Sequence, residues 1–449
     1  MVVNGNVRRA AAFAAVGVLS LLGPGLTGRV PASAVALGAT LPFVLIAGLA
    51  LYAPEDGTLF ALLARPGDYD EGKLYGLAGF SLGAAGLALL STEFGLPATA
   101  FVVSVLVLVA GNLSQTVIRR GGVEPFLGIA VFAVGGAAGG IGGGIAVASL
   151  TGIQANTPEL VFLGAAAAVF AALLRSMLFE RDDALIMIAA ALFLWGLVGL
   201  EVAVEPVRIA VGLTVTVLLG YVAYVLKTAS TEGMLTGVLL GLLAIVLGGY
   251  GWFAMLITFF GLGGLASKFR YSTKADRGIA QENAGARGSG NVLANSTVAL
   301  VAVLGFAAGD SLGLPADLFL FAFAGSVATA MADTFSSEIG GLFDTPRLLT
   351  SLQRVEPGTD GAITWQGELA GLVAAGIIAG IAAVFFDLGP AATATIVTAG
   401  TLGMTIDSVL GATLEGESLD NQSVNLLATL GGAVSGGLLA VAVGAVTLF

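Results

Sequence analysis

Runs of about twenty consecutive apolar residues recur along nearly the whole chain, and they constrain its fold more than any motif does. In lipid such a run must satisfy its own backbone groups, so it crosses either as a helix or as part of a closed barrel. The runs are continuously apolar rather than alternating, which selects helices. A hydrophobic fraction of 57% and a mean hydropathy of +0.98 point the same way. The expected fold is an all-α, polytopic transmembrane bundle of about fifteen spans, within a range of roughly thirteen to seventeen. These begin at residues 10–24 and end at 423–447. Gly248-Gly249-Tyr250-Gly251 reads as either a hairpin or a kink. Gly135, Gly139 and Gly143, spaced four apart, offer a small-residue face against which a second helix can pack closely.

Charge orients the bundle. With the N-terminus in the cytoplasm, every Lys and Arg except Arg29 and Arg208 falls inside, as the positive-inside rule asks of a multi-pass cell-membrane protein. The first apolar stretch, between Arg8-Arg9 and Ala32-Ser33-Ala34, also has the form of a signal peptide, but the charge bias already holds with this span retained. The net charge of −11, with four Lys against fourteen Arg, describes an acidic solvated surface that a salt-rich, halophilic cytoplasm would explain.

The chain has no Cys and no His. That removes thiolate nucleophiles, imidazole bases, disulfides, haem ligation and thiolate or imidazole zinc sites. Any chemistry falls to Asp, Glu, Lys, Arg, Ser, Thr and Asn, a donor set suited to a hard cation such as Mg2+.

Polar residues gather in the C-terminal half, in loops at 268–290, 335–365 and 413–422 on the expected cytoplasmic side. The division by motif content is therefore 1–230, without signature, and 231–449. Asp333 and Glu338 lie at the end of one span and Asp407 within another; unpaired, three such carboxylates would cost about 8–10 kcal/mol in a membrane. Asp333 and Glu338 point about 140° apart on an unbroken helix, so either the helix ends near Ser336 or the two carboxylates do different work. Asn421 and Asn425 share a helix face, Asp420 is placed to cap that helix, and Asn295 adds an amide on the same side. The basic loop carries Lys268, Arg270, Lys274, Arg277 and Arg287, which either hold phosphate or simply obey the charge rule. Pro357-Gly358-Thr359-Asp360-Gly361 is a turn with amides able to face a phosphate.

Two lookalikes fail. Gly67 to Lys73 has P-loop spacing, but Leu74 replaces the required hydroxyl and Asp68, Asp70 and Glu71 would repel phosphate. Gly261-Leu262-Gly263-Gly264-Leu265-Ala266 imitates a dinucleotide fingerprint within an apolar span, where no βαβ unit exists.

Four blocks, 332–340, 357–364, 407–413 and 420–426, resemble in order and approximate spacing the signatures of one integral membrane family. That family contains the plant and cyanobacterial phytyl-phosphate kinase, the eukaryotic transmembrane protein nineteen and many archaeal members of unknown function. The resemblance covers about residues 230–449, with Phe335 where the family often has Trp. It implies transfer of a phosphoryl group from a nucleoside triphosphate to an isoprenoid monophosphate, whether phytyl, geranylgeranyl or polyprenyl. On that reading Asp333, Glu338 and Asp407 bind Mg2+ and, with Lys268, are catalytic. Arg287 contacts phosphate, while Asn295, Ser336, Ser337, Thr359, Asp420, Asn421 and Asn425 contact or orient substrate. A prenyl tail would lie among the spans, in the bilayer, with its phosphate at the cytoplasmic rim. No nucleic-acid partner is expected. The N-terminal half is left as a lipid cavity, a homo-oligomer interface or a separate module. The competing class is an ion-coupled transporter of a small or lipid-like solute, which intramembrane carboxylates and abundant Gly would also suit. No inverted repeat is visible, because the polar blocks are confined to one half. A lipid-organising structural role is third.

Overall fold

The structure, a computed structural model, describes residues 2–55, 57–178, 182–201, 204–280, 288–416 and 418–448. Among the described residues the regular structure is helical apart from one pair of two-residue strands, Arg347–Leu348 against Ala362–Ile363. Among the described residues fourteen helices are long and apolar enough to cross a membrane. The remaining expected span, at 184–200, is the apolar helix Asp183–Gly199 of 17 residues, short of that length.

Two compact units divide at Pro206–Val207. Motif content set the sequence division at 230; the Pro206–Val225 helix nevertheless packs within the C-terminal unit, with Gly212 against Ile245 and Gly220 against Val238 and Met234.

In the N-terminal unit the expected glycine face is used. A Cβ at Gly139 would lie 2.4 Å from Ala110 Cβ and 2.8 Å from Leu106 O, and Gly135 and Gly143 meet the same Ala98–Gly121 segment at Ser114 and Leu106. The polar residues of this half, which read as ordinary, include a buried network. Asp183, 2% exposed, takes Arg65 Nη2 at 2.5 Å, Arg175 Nη1 at 2.7 Å and Asn112 Nδ2 at 3.3 Å. Arg65 also lies 4.5 Å over the Phe13 ring, so one carboxylate joins several segments of this unit.

The C-terminal unit is built around the Ala316–Gly340 helix, which packs against Tyr250–Lys268, Ser289–Ala307, Trp365–Phe386, Pro390–Thr413 and Asn421–Ala442. A helix with neighbours on most sides must be apolar and small-faced all round. Its Gly325 presses on Gly432, and its Ala328 and Thr329 receive Gly400 and Gly403. Hydroxyls inside it bond back to their own helix, Thr329 to Gly325 O at 2.9 Å and Thr334 to Ala330 O at 2.8 Å. The segment at 248–251 is a break of one residue. Gly249, at φ 104° and ψ −174°, occupies a conformation essentially restricted to glycine and separates the Thr231–Gly248 and Tyr250–Lys268 helices. Beyond it Trp252 packs on Phe306 and Phe323, with ring centroids 4.8 and 4.7 Å apart.

Candidate functional site

The Ala316–Gly340 helix does not stop at Ser336 but runs unbroken to Gly340. Asp333 and Glu338 therefore diverge around its axis, and each meets a different partner. Glu338, 5% exposed, forms an ion pair with Lys274, 1% exposed, whose ammonium also donates to Ala266 O at 3.1 Å and Ser267 O at 2.7 Å. Asp333 instead lies in hydrogen-bonding contact with Asp407 of the Pro390–Thr413 helix. Two carboxyl groups in contact either share a proton or hold a cation between them.

Both sides open on one cavity of about 340 Å³, lined by Asp333, Glu338 and Asp407 as well as by Asn291, Asn295, Ser336, Ser337, Thr359, Asn421 and Asn425. Three helices start at its wall: Ser289–Ala307, Trp365–Phe386 and Asn421–Ala442, represented there by Asn291, Thr364 and Asn421. Their N-terminal N–H groups and dipoles favour an anion. Among the described residues no Lys or Arg lines the cavity while five carboxylates do, Asp333, Glu338, Asp360, Asp407 and Glu415, so these helix ends offset only part of its negative charge.

The wall keeps open acceptors. Asp407 Oδ2, Asn291 Oδ1 and Asn295 Oδ1 are buried and accept no hydrogen bond from the described residues. Asn295 Nδ2 donates to Asn291 O at 3.0 Å. Asn425 Nδ2 donates to Asn421 Oδ1 at 3.1 Å, and Asn421 in turn bonds Glu415. Burial, followed by the charges of Asp360 and Asp420, pushes the Glu415 carboxyl up, with the Asn421 bond acting in the opposite direction. The folded chain thus holds the Glu415 proton to higher pH than the unfolded chain does. Stability from this group falls as pH rises from the ordinary Glu range through the raised one. Glu415→Gln is expected to flatten that slope in thermal unfolding measured across pH; an unchanged slope would assign it to other groups.

The 357–361 turn is fastened at Gly361, at φ 70°, where a Cβ would stand 2.2 Å from Ala412 N and 2.4 Å from Ser408 O. Loop backbone here lies against helix backbone one turn beyond Asp407. Ile279 packs on Gly358 and Gly341 and closes the turn from the other side. Gly361→Ala is expected to lose at least about 1–2 kcal/mol from the left-handed conformation alone, with the clash in addition. A melting temperature equal to that of the parent would show that the loop is not clamped.

Several expected site residues fall elsewhere. Lys268 donates to Leu226 O at 2.6 Å and does not reach the cavity; the buried cation is Lys274, six residues on. Arg277 fastens the end of the central helix through Gly341 O at 3.2 Å and Asp344 at 2.7 Å. Asp420 is exposed and caps its helix at Ser423 N, 2.8 Å away, and the bonds to Ser423 hold its carboxyl below the usual range. Ser336 lines the cavity and also donates to Glu368 at 3.4 Å. Arg287 lies outside the described residues. Among the described residues no three carboxylates converge as a cation site, so the expected trio separates into the Asp333–Asp407 pair and the Lys274-bound Glu338. Asn291 was missed, although it stands four before Asn295 as Asn421 stands four before Asn425. Lys274 and Glu415 had no such signal.

The cavity lies within the stretch that other proteins share. Residues 214–435 match the family model described as "Integral membrane protein DUF92". An uncharacterized membrane protein of Methanocaldococcus jannaschii is 32% identical over 240 residues, which are 52% of this chain and 94% of that protein. The chain belongs to the DUF92 family. It is also 30% identical to the chloroplastic protein VTE6 of Arabidopsis thaliana over 205 residues, 44% of this chain and 61% of VTE6. An uncharacterized membrane protein of Synechocystis is 31% identical over 201 residues, 43% of this chain and 76% of that one. No solved structure matches this DUF92 member.

Proposed function

We propose that this DUF92 protein transfers a phosphoryl group from a nucleoside triphosphate to an isoprenoid monophosphate at the cytoplasmic rim of the cell membrane. The observation that carries the reading is the single cavity in which an Asp333–Asp407 pair faces amides and three helix N-termini. Anion-binding dipoles beside a carboxylate pair suit a phosphate accompanied by a divalent cation, and the four family blocks supply most of that wall.

The open Asp407 Oδ2 beside Asp333 fits Mg2+, which is commonly held by one or two carboxylates with phosphate oxygens completing its shell. Bound there, it would neutralise phosphate charge. Phosphate oxygens need donors, so the Nδ2 groups of Asn291, Asn295, Asn421 and Asn425 would orient them, Asn295, Asn421 and Asn425 through a second N–H. The open Oδ1 atoms of Asn291 and Asn295 suit the cation or its waters. The Ser337 and Thr359 hydroxyls already donate to Thr334 O and Glu356 O and stand at the wall as acceptors. Lys274 holds Glu338 in place, which makes both positioning residues. Transfer itself breaks the bond between the terminal phosphorus and its bridging oxygen, and forms a bond from that phosphorus to the acceptor phosphate oxygen. No residue need become covalently modified.

The test is purified full-length protein incubated with prenyl monophosphates of several lengths, nucleoside triphosphates and Mg2+. Prenyl diphosphate is the expected product. Folded protein that forms none across the series refutes the activity.

A further inference from the structure

The Ser289–Ala307 helix carries more than the two amides. Asn291 and Asn295 line the polar cavity, while Val292, between them in sequence, lines a second cavity of about 260 Å³. This one is bordered by the Pro206–Val225, Thr231–Gly248 and Tyr250–Lys268 helices and open on one side, with walls that include Met234, Val238, Phe253, Ile257 and Phe260. Its hydroxyls, on Thr216 and Thr228, are already bonded to Gly212 O at 2.6 Å and Ala223 O at 3.3 Å, so nothing in it asks for a polar ligand. Val292 is within one turn of both amides, about 5 Å along the axis, so the two cavities flank one helix at the same depth.

We propose that the second cavity receives the hydrocarbon chain of the prenyl monophosphate whose phosphate occupies the first; this rests on the phosphotransfer reading. The adjacency selects an amphiphile with one anionic head and one apolar chain. A bilayer phospholipid, with two chains, is the competing occupant.

Gly237 and Gly261 line this cavity, and a Cβ at either meets no heavy atom within 4 Å. A side chain at these helical positions starts in open space, and replacing Gly by Leu raises helix propensity, so folding is expected to be preserved while the space is filled. The experiment titrates geranylgeranyl monophosphate and dimethylallyl monophosphate onto the full chain and onto Gly237→Leu and Gly261→Leu, by a binding readout that needs no turnover. Each variant is expected to lower the ratio of long-chain to short-chain affinity about tenfold or more, since two excluded methylenes already account for about 1.6 kcal/mol. An unchanged ratio in both variants overturns the proposal. So does a co-purified phospholipid, seen by native mass spectrometry, that geranylgeranyl monophosphate does not displace. A lowered ratio without diphosphate formation from any nucleotide keeps the cavity assignment and refutes the phosphotransfer reading. Diphosphate formation with an unchanged ratio does the reverse.

Discussion

Lys274→Met is expected to destabilise the C-terminal unit by about 3–5 kcal/mol, the usual consequence of stranding one member of a buried ion pair. Glu338 sits in the last turn of the Ala316–Gly340 helix, where the dipole already disfavours an anion, and only 5% of it is exposed. Without Lys274 the carbonyls of Ala266 and Ser267 also lose a donor. Unfolding in mixed micelles measures the loss. The double variant Lys274→Met with Glu338→Leu removes both charges together, and should recover most of the stability because apolar replacement of a complete buried pair is often close to neutral. If the double variant is as unstable as the single one, packing rather than charge explains the effect.

Asp407→Asn is expected to act in the opposite sense on the two properties. Transfer should fall by about 10²–10³-fold, the range for loss of one group that stabilises developing charge, while thermal stability is retained or rises because a neutral amide replaces a buried carboxyl. Asp333→Asn should behave alike. The double variant should lose little beyond either single one, since on the proposed reading the two residues serve one cation and act as a unit. Steady-state rates against Mg2+ concentration provide the check: the single variants should need more Mg2+ than the parent. Parent rates in Asp407→Asn would remove this residue from the site while leaving the activity itself standing.

Periodicity and composition made the membrane class and most of the spans legible, because a lipid-facing backbone admits few solutions. The grouping of Asp333, Asp407, Asn421 and Asn425 was legible too, since amides and carboxylates are costly among apolar neighbours and stand out there. Which carboxylate met which partner was not. That depended on whether the helix continued past Ser336, and local sequence left both outcomes open. Lys268 directly ends the Tyr250–Lys268 span, yet the turn through Arg270, at φ 48°, brings Lys274 back beneath that span's last carbonyls. The Arg65–Asp183–Arg175 network escaped notice because its members lie far apart in sequence, each resembling an ordinary loop charge.

The central helix is also long. Its 25 residues extend roughly 37 Å, against about 30 Å for a typical hydrocarbon core. The surplus is a little over one turn, comparable with the stretch from Ser336 to Gly340. Five helices of the same unit surround the central helix, so hydrophobic mismatch would reach its Asp333 end only through those neighbours, by tilting the bundle. Lipid chain length is therefore a variable to set in the transfer assay, with no change in sequence.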